Sequence, residues 1–242
     1  MRLPRVRFTV RRLLGALALI ATICGAVAWF ARVVYVARRD AESAACRGHL
    51  KQIARAVYNY HDAYWSFPPA YLTDARGAPT LSWRVLILPF LGDDELYKSF
   101  DLSEPWDGPT NIKLLPRMPK ELSCPSHDRD IGSGRTKWVA ITGPGTMFPG
   151  ATTTNFADVK DGLDGTIMLS EVANLDVPWT APVDLDLRTT SLVINDPGKP
   201  GLSSPHAGGP MVSLAGGSVS RVPRSISPGA LRALLTIDGG ER

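Results

Sequence analysis

The sequence predicts an α+β protein: a long N-terminal helix, first transmembrane and then amphipathic, packed on an antiparallel β-sheet. Three observations lead there. Residues 13–31 are uncharged and almost wholly apolar; at 1.5 Å per residue they reach roughly 28 Å, about the hydrocarbon thickness of a bilayer. Of 20 prolines only Pro4 precedes residue 68, and of 22 glycines only Gly15, Gly25 and Gly48 do, so helix is permitted there and punctuated afterwards. Beyond that boundary come short runs rich in branched residues and bounded by Gly or Pro, the pattern of strands.

Four segments follow in order. Residues 1–12 form a basic arm, and residues 13–37 a transmembrane signal anchor. Five arginines precede the apolar run and three follow it, which places the arm in the cytoplasm and the remainder outside. A cleavable signal peptide would use Ala26-Val27-Ala28 as its small-residue site, but apolar residues continue through Val33, Val34 and Val36, which suits retention. The Arg11-Arg12 pair lacks the surroundings of a twin-arginine signal, and Ile23 is too bulky for a lipoprotein site at Cys24. In residues 38–64, Leu50, Ile53, Ala54, Val57, Tyr60, His61 and Tyr64 recur at three- and four-residue spacing, one apolar stripe. Lys51, Gln52, Arg55 and Asn59 fall on other faces.

Residues 65–242 are long enough for one domain with a real core. Leu81–Phe90 and Asp94–Phe100 read as short helices, with a third at Pro109–Leu115. Strands are expected at Lys137–Thr142, Thr166–Val172, Ser191–Ile194, Met211–Ala215 and Ser218–Val222. Gly216-Gly217 between the last two suits a two-residue type I′ turn, which places Val212, Leu214 and Val219 on one face. Ser227-Pro228 then opens a final helix to Leu235, with the serine as N-cap.

Charge narrows the partners. Residues 1–39 hold eight arginines and no acid; the rest keeps 19 basic residues against 23 acidic ones, about −4. The body therefore lacks the basic patch that nucleic acid requires, and the bilayer, through residues 13–37, is the partner the sequence names.

No arrangement demands catalysis, a cofactor or a metal. Asp158, Asp161 and Asp164 are spaced by three rather than as an EF-hand loop, and read as a turn. His49, His61, His127 and His206 form no metal-ligand motif, and His206 ahead of Gly208-Gly209 suits a hydrogen bond to backbone. There is neither a phosphate loop nor a Gly-x-Ser-x-Gly elbow. Five tryptophans lie beyond residue 64: gathered in a pocket they would indicate a sugar or solute site, and buried singly they would indicate core packing. Cys46 and Cys124 both fall outside the membrane in this topology, where disulfides persist; they read either as one bridge pinning helix to domain or as two unpaired buried thiols. Cys24 is an apolar filler of the span.

Cys46-x-x-His49-Leu50-Lys51-Gln52-Ile53, Tyr58-Asn59-Tyr60-His61-Asp62 and Phe67-Pro68-Pro69 resemble the opening of a bacterial pilin-like family of unknown function. Ser82-Trp83-Arg84, Cys124-Pro125-Ser126, Asp161-Gly162 and Val177-Pro178-Trp179-Thr180 extend the resemblance. The family carries a C-terminal signature, His then nine residues then Asp-Gly, in a domain associated with prepilin-type processing, and has been filed among bacterial solute-binding proteins. Here the signature reads His206, Gly208, Gly209, Gly216 and Gly217, with Gly216 in place of the aspartate. Arg7 and Arg12 stand where pilin-like members carry the cleavage-site glycine and the assembly glutamate, which implies no prepilin processing and no filament. The resemblance implies a pilin-like fold in the cell envelope and partners among envelope or secretion proteins, with no reaction attached. The expected function is a structural or interaction protein; the alternative is an extracytoplasmic solute- or glycan-binding module.

Overall fold

The computed structural model describes residues 10–130 and 132–239. Most of the basic arm, residues 1–9 including Arg7, lies outside the described residues. The chain divides into two compact units, residues 1–42 and 43–242.

The described residues of the first unit, 10–42, are helical. Helix α1 runs Val10–Tyr64 without interruption, and its N-terminal stretch is long and apolar enough to cross a membrane. Leu13, Leu17, Ile20, Val27 and Phe30 are all exposed. The Thr22 hydroxyl donates to the Ala18 and Leu19 carbonyls at 3.1 and 2.8 Å, so this polar group is satisfied inside its own helix, as an apolar surrounding requires. Arg38 and Glu42 pair one turn apart at 2.7 Å.

The second unit is α+β. The last turns of α1 bury Cys46, Leu50, Ile53, Ala54 and Val57 and leave Lys51, Gln52, Arg55 and Asn59 exposed. Tyr64, expected on the packed stripe, is 60% exposed. The helix ends where Trp65 turns left-handed at φ 59°, its N–H donating to the His61 carbonyl at 2.7 Å. A bulky residue there is strained, and Trp65 is 83% exposed, so burial does not offset the strain. Trp65→Gly is expected to stabilise the protein by roughly 0.5–1 kcal/mol, because glycine is the residue that a left-handed helix end favours. Urea unfolding of the variant checks this.

Strands β1 (Tyr71–Thr73) and β2 (Pro79–Ser82) form a hairpin, then α2 (Trp83–Leu86), α3 (Leu88–Leu91) and α4 (Asp94–Lys98) follow. The expected single helix over 81–90 is thus two: β2 takes its start, and a break at Ile87 precedes Pro89, which cannot donate a helical hydrogen bond. The expected helix at Pro109–Leu115 is a 3₁₀ helix, Asn111–Arg117, with Pro116 inside.

Next come β3 (Arg135–Thr136), β4 (Trp138–Thr142), β5 (Ile167–Glu171), β6 (Val177–Pro178), β7 (Leu185–Asp186), β8 (Met211–Leu214), β9 (Val219–Arg221) and α5 (Pro228–Leu235). The main sheet has the order β7-β4-β5-β8-β9 and is antiparallel except between β4 and β7. Ser227 caps α5, accepting from the Ala230 N–H at 3.2 Å. Ser191–Ile194 is no strand: Ser191 makes one isolated bridge to Gly201 while its hydroxyl binds Asp196, a local bond that competes with a ladder.

Both faces of the sheet are covered. Trp138, Ala140, Leu169 and Met211 share a buried cluster with Leu50, Ile53 and Val57 of α1 and with Phe67 and Trp83. Val139, Ile141 and Val212 share another with Leu231 and Leu235 of α5. Alternation along each strand assigns these sets to opposite faces.

Candidate functional site

The C-terminal signature builds a corner of the fold. His206 is buried on the loop before β8; its N–H donates to Ser204 Oγ at 3.1 Å, and its carbonyl accepts from the Gly209 N–H at 3.1 Å and from Arg224 Nη2 at 2.9 Å. Gly209, at φ 87°, leaves no room for a side chain: a Cβ would lie 2.1 Å from the Val222 carbonyl oxygen. A Cβ on Gly208 would press on Arg221 Cδ at 3.0 Å.

Gly216 and Gly217 form the expected hairpin turn, with a different geometry. Ser213 pairs with Val219, and the Gly217 N–H donates to the Leu214 carbonyl. The loop is therefore three residues, Ala215 to Gly217, and only Gly217 has positive φ, 81°. This is a type I turn followed by a left-handed glycine, not type I′. The extra residue shifts β9 by one position, which flips its faces: Val219 joins the cluster on the α1 side, and Val212 and Leu214 belong to the other. Tertiary contacts select this loop. Tyr58 of α1 donates its hydroxyl to the Ala215 carbonyl, and the Gly216 N–H donates to the Leu163 carbonyl at 2.8 Å. Burial, helped by Asp164, pushes the Tyr58 hydroxyl up to about 12.

The two glycines should respond unequally. A Cβ on Gly217 meets the Tyr58 ring at 3.2 Å in a backbone region that costs an ordinary residue about 1–2 kcal/mol. On Gly216 its one close approach is to Asp164 Oδ1, at 2.5 Å, the end of an exposed side chain that can swing away, and the Leu163 carbonyl oxygen stands at an ordinary 3.5 Å. Gly217→Ala is expected to lower stability by about that amount, with Gly217→Val worse and Gly216→Ala close to wild type, as read by urea midpoints.

Beneath the corner, the structure gathers residues that the sequence reading treated apart. Cys46 of α1 is bonded to Cys124, with Cα atoms 4.9 Å apart. Glu171, at the end of β5, is wholly buried beside them. One of its oxygens lies 3.0 Å from His127 Nε2 and 3.7 Å from His206 Nε2, and the other accepts the Met211 N–H at 3.0 Å. The sulfur atoms and His206 lie within 4.8 Å of one another, as do Cys124, His127 and Glu171. Sequence reasoning missed Glu171 and weighed His127 only as a metal ligand. The available signal was a lone acid at the end of an otherwise buried strand, which must find hydrogen-bond or cationic partners. The group joins α1, β5 and the loop before β8, and the bonded sulfurs are closed to other chemistry. His49 adds a tie from α1, its Nδ1 2.8 Å from the Ser123 carbonyl oxygen.

The remaining expected residues scatter. Asp158 closes a capping box with Asn155, Asp161 accepts the Gly239 N–H at 2.7 Å, and Asp164 stands by Gly216. Each aspartate has its own place in the fold. Trp83, Trp138 and Trp179 are wholly buried in one core cluster, Trp106 packs partly buried against it, and Trp65 is exposed. Trp83 and Trp138 flank a buried ion pair, Arg84 Nη2 to Asp184 Oδ1 at 2.6 Å. Burial pushes the Asp184 carboxyl up and the Arg84 guanidinium down, while their mutual attraction opposes both. The open surface lies along α1, where Gly48, Lys51, Arg55, Tyr58 and Gly217 help line a groove of about 560 Å³.

No curated protein and no solved structure matches the chain. A family model described as "Protein of unknown function (DUF1559)" matches residues 36–184, more than half of the sequence, ending before the His206 to Gly217 corner. The chain belongs to this family, DUF1559.

Proposed function

We propose that the chain is a single-span membrane protein with residues 13–37 in the bilayer, its N-terminus cytoplasmic and residues 40–242 outside. The outer part is a pilin-like module that works by contact rather than catalysis. The observation that carries this reading is α1 itself. The described residues of its apolar first half are exposed, and its second half supplies part of the core of a domain stapled by Cys46–Cys124. The staple suits an oxidising compartment. The module's polar corner is occupied internally, with Glu171 buried among its partners, and three of its five tryptophans, Trp83, Trp138 and Trp179, are committed to the core; both support a contact protein over an enzyme.

Protease added to intact spheroplasts tests the topology. The ectodomain is expected to be degraded, and mass spectrometry of the untreated chain to find Met1 or Arg2 at its start. A protected ectodomain, or a mature start at Trp29, would overturn the reading.

A further inference from the structure

The solvent side of α1 carries long polar side chains that the fold does not use. Gln52, Arg55 and Asn59 are exposed, three and four residues apart on one face. Their side chains make no hydrogen bond or ion pair among the described residues. Together with Glu121 they ring a cleft of about 250 Å³ floored by Phe90 and Leu91 of α3. The cleft adjoins an aromatic shelf. Tyr60 and Phe90 centroids are 5.8 Å apart, Tyr60 and Tyr64 4.5 Å, and Tyr64 and Phe90 6.3 Å. Tyr64 is 60% exposed, whereas Tyr58 and Tyr60 in the turns before it are partly covered.

We infer that this cleft and shelf bind a neutral oligosaccharide. Each side-chain amide offers a donor and an acceptor at fixed separation, which matches sugar hydroxyls that both donate and accept. Arg55 and Glu121 add charge-assisted bonds of opposite sign, so the rim carries no net charge and gives a strongly anionic or cationic ligand no advantage. The negative face of an aromatic ring attracts the weakly positive C–H face of a pyranose, and Tyr64, the exposed ring of the Tyr60–Tyr64–Phe90 group, offers such a ring beside the polar rim. A volume slightly below the range of drug-sized pockets, ~300–1,000 Å³, suits a short stretch of a longer chain lying open to solvent. Gln52 and Arg55 also line the larger groove across α1, so a polymer could continue over the helix between the two.

The inference deepens the contact-module reading and rests on it. Its test leaves topology aside, so each can fail alone. The full chain is held in an amine-oxide detergent, because maltoside detergents would compete, and is titrated calorimetrically with maltopentaose, cellopentaose and penta-N-acetylchitopentaose. A penta-galacturonate serves as the anionic control. Saturable binding of at least one neutral probe is expected, weakened at least tenfold by Asn59→Ala and by Tyr64→Ala. Asn59 is exposed and makes no hydrogen bond among the described residues, so its variant should keep the wild-type urea midpoint. Tyr64→Ala, which gives up ring contacts with Tyr60 and Phe90, should show a modestly lowered midpoint with a fully folded baseline at the titration conditions. Gln52→Ala provides a third variant of the same kind. The inference is overturned if no neutral probe binds, if the galacturonate binds more tightly than all three, or if the variants bind like the wild type.

Discussion

Arg84→Met is expected to lower the stability of the domain by about 3–5 kcal/mol, the cost of leaving one partner of a buried ion pair alone. That is a large part of the ~5–15 kcal/mol that holds a typical domain together. The guanidinium is wholly buried, and all its nitrogens are engaged. Nε and Nη2 donate to the Trp138 carbonyl at 3.0 and 2.8 Å, Nη1 to Ser82 Oγ at 2.7 Å, and Nη2 to Asp184 Oδ1 at 2.6 Å. Asp184 Oδ1 also accepts from the Ala140 N–H at 2.7 Å and from Trp83 Nε1 at 3.2 Å. The pair thereby joins α2 and β4 to the segment leading into β7. Methionine fills the volume but strands the carboxylate, whose second oxygen has no hydrogen-bond partner among the described residues. Arg84→Lys should fall between, because an ammonium cannot reproduce the planar fork. The double variant Arg84→Met/Asp184→Leu removes both charges and should recover more than half of the loss. Urea unfolding followed by tryptophan fluorescence reads all three, and a wild-type midpoint for Arg84→Met would contradict the account.

Removing the disulfide should be comparably costly. Cys46 and Cys124 are separated by 78 positions, and in the chain-entropy model a loop of that length stabilises by about 4–5 kcal/mol. The bridge fastens α1 to the segment ahead of β3, next to buried Glu171. Cys46→Ala/Cys124→Ala is expected to lose most of that stabilisation, and wild type treated with reductant under denaturing conditions should refold to a similarly lowered midpoint. If the alanine pair unfolds at the wild-type midpoint, α1 is held by its packing alone.

The elements that sequence foretold best are those specified by local chemistry. The end of α1 at Tyr64 and the Ser227-capped helix at Pro228–Leu235 fall where composition and capping placed them. Strands β4, β5 and β8 fall within about a residue of expectation, because branched runs with Gly or Pro boundaries leave few alternatives. The hairpin turn shows the limit. Gly-Gly suits a two-residue or a three-residue loop, and the choice was made by Tyr58, 157 positions from the Ala215 carbonyl it binds. One residue of loop then reversed the face of Val219. The buried ion pair was equally hidden, since an arginine beside a tryptophan reads as surface until Asp184, 100 positions away, is brought against it. His127, Glu171 and His206 lie on separate elements, and no local spacing announces their meeting.

The most direct test of a stapled domain outside the membrane is the thiol state of the chain in its own cells. Cells are denatured in the presence of N-ethylmaleimide, and the chain is digested and analysed without reduction. The account predicts that the peptides containing Cys46 and Cys124 are recovered joined, with neither cysteine labelled. Recovery of both as separate labelled peptides would place the domain in a reducing compartment and contradict it.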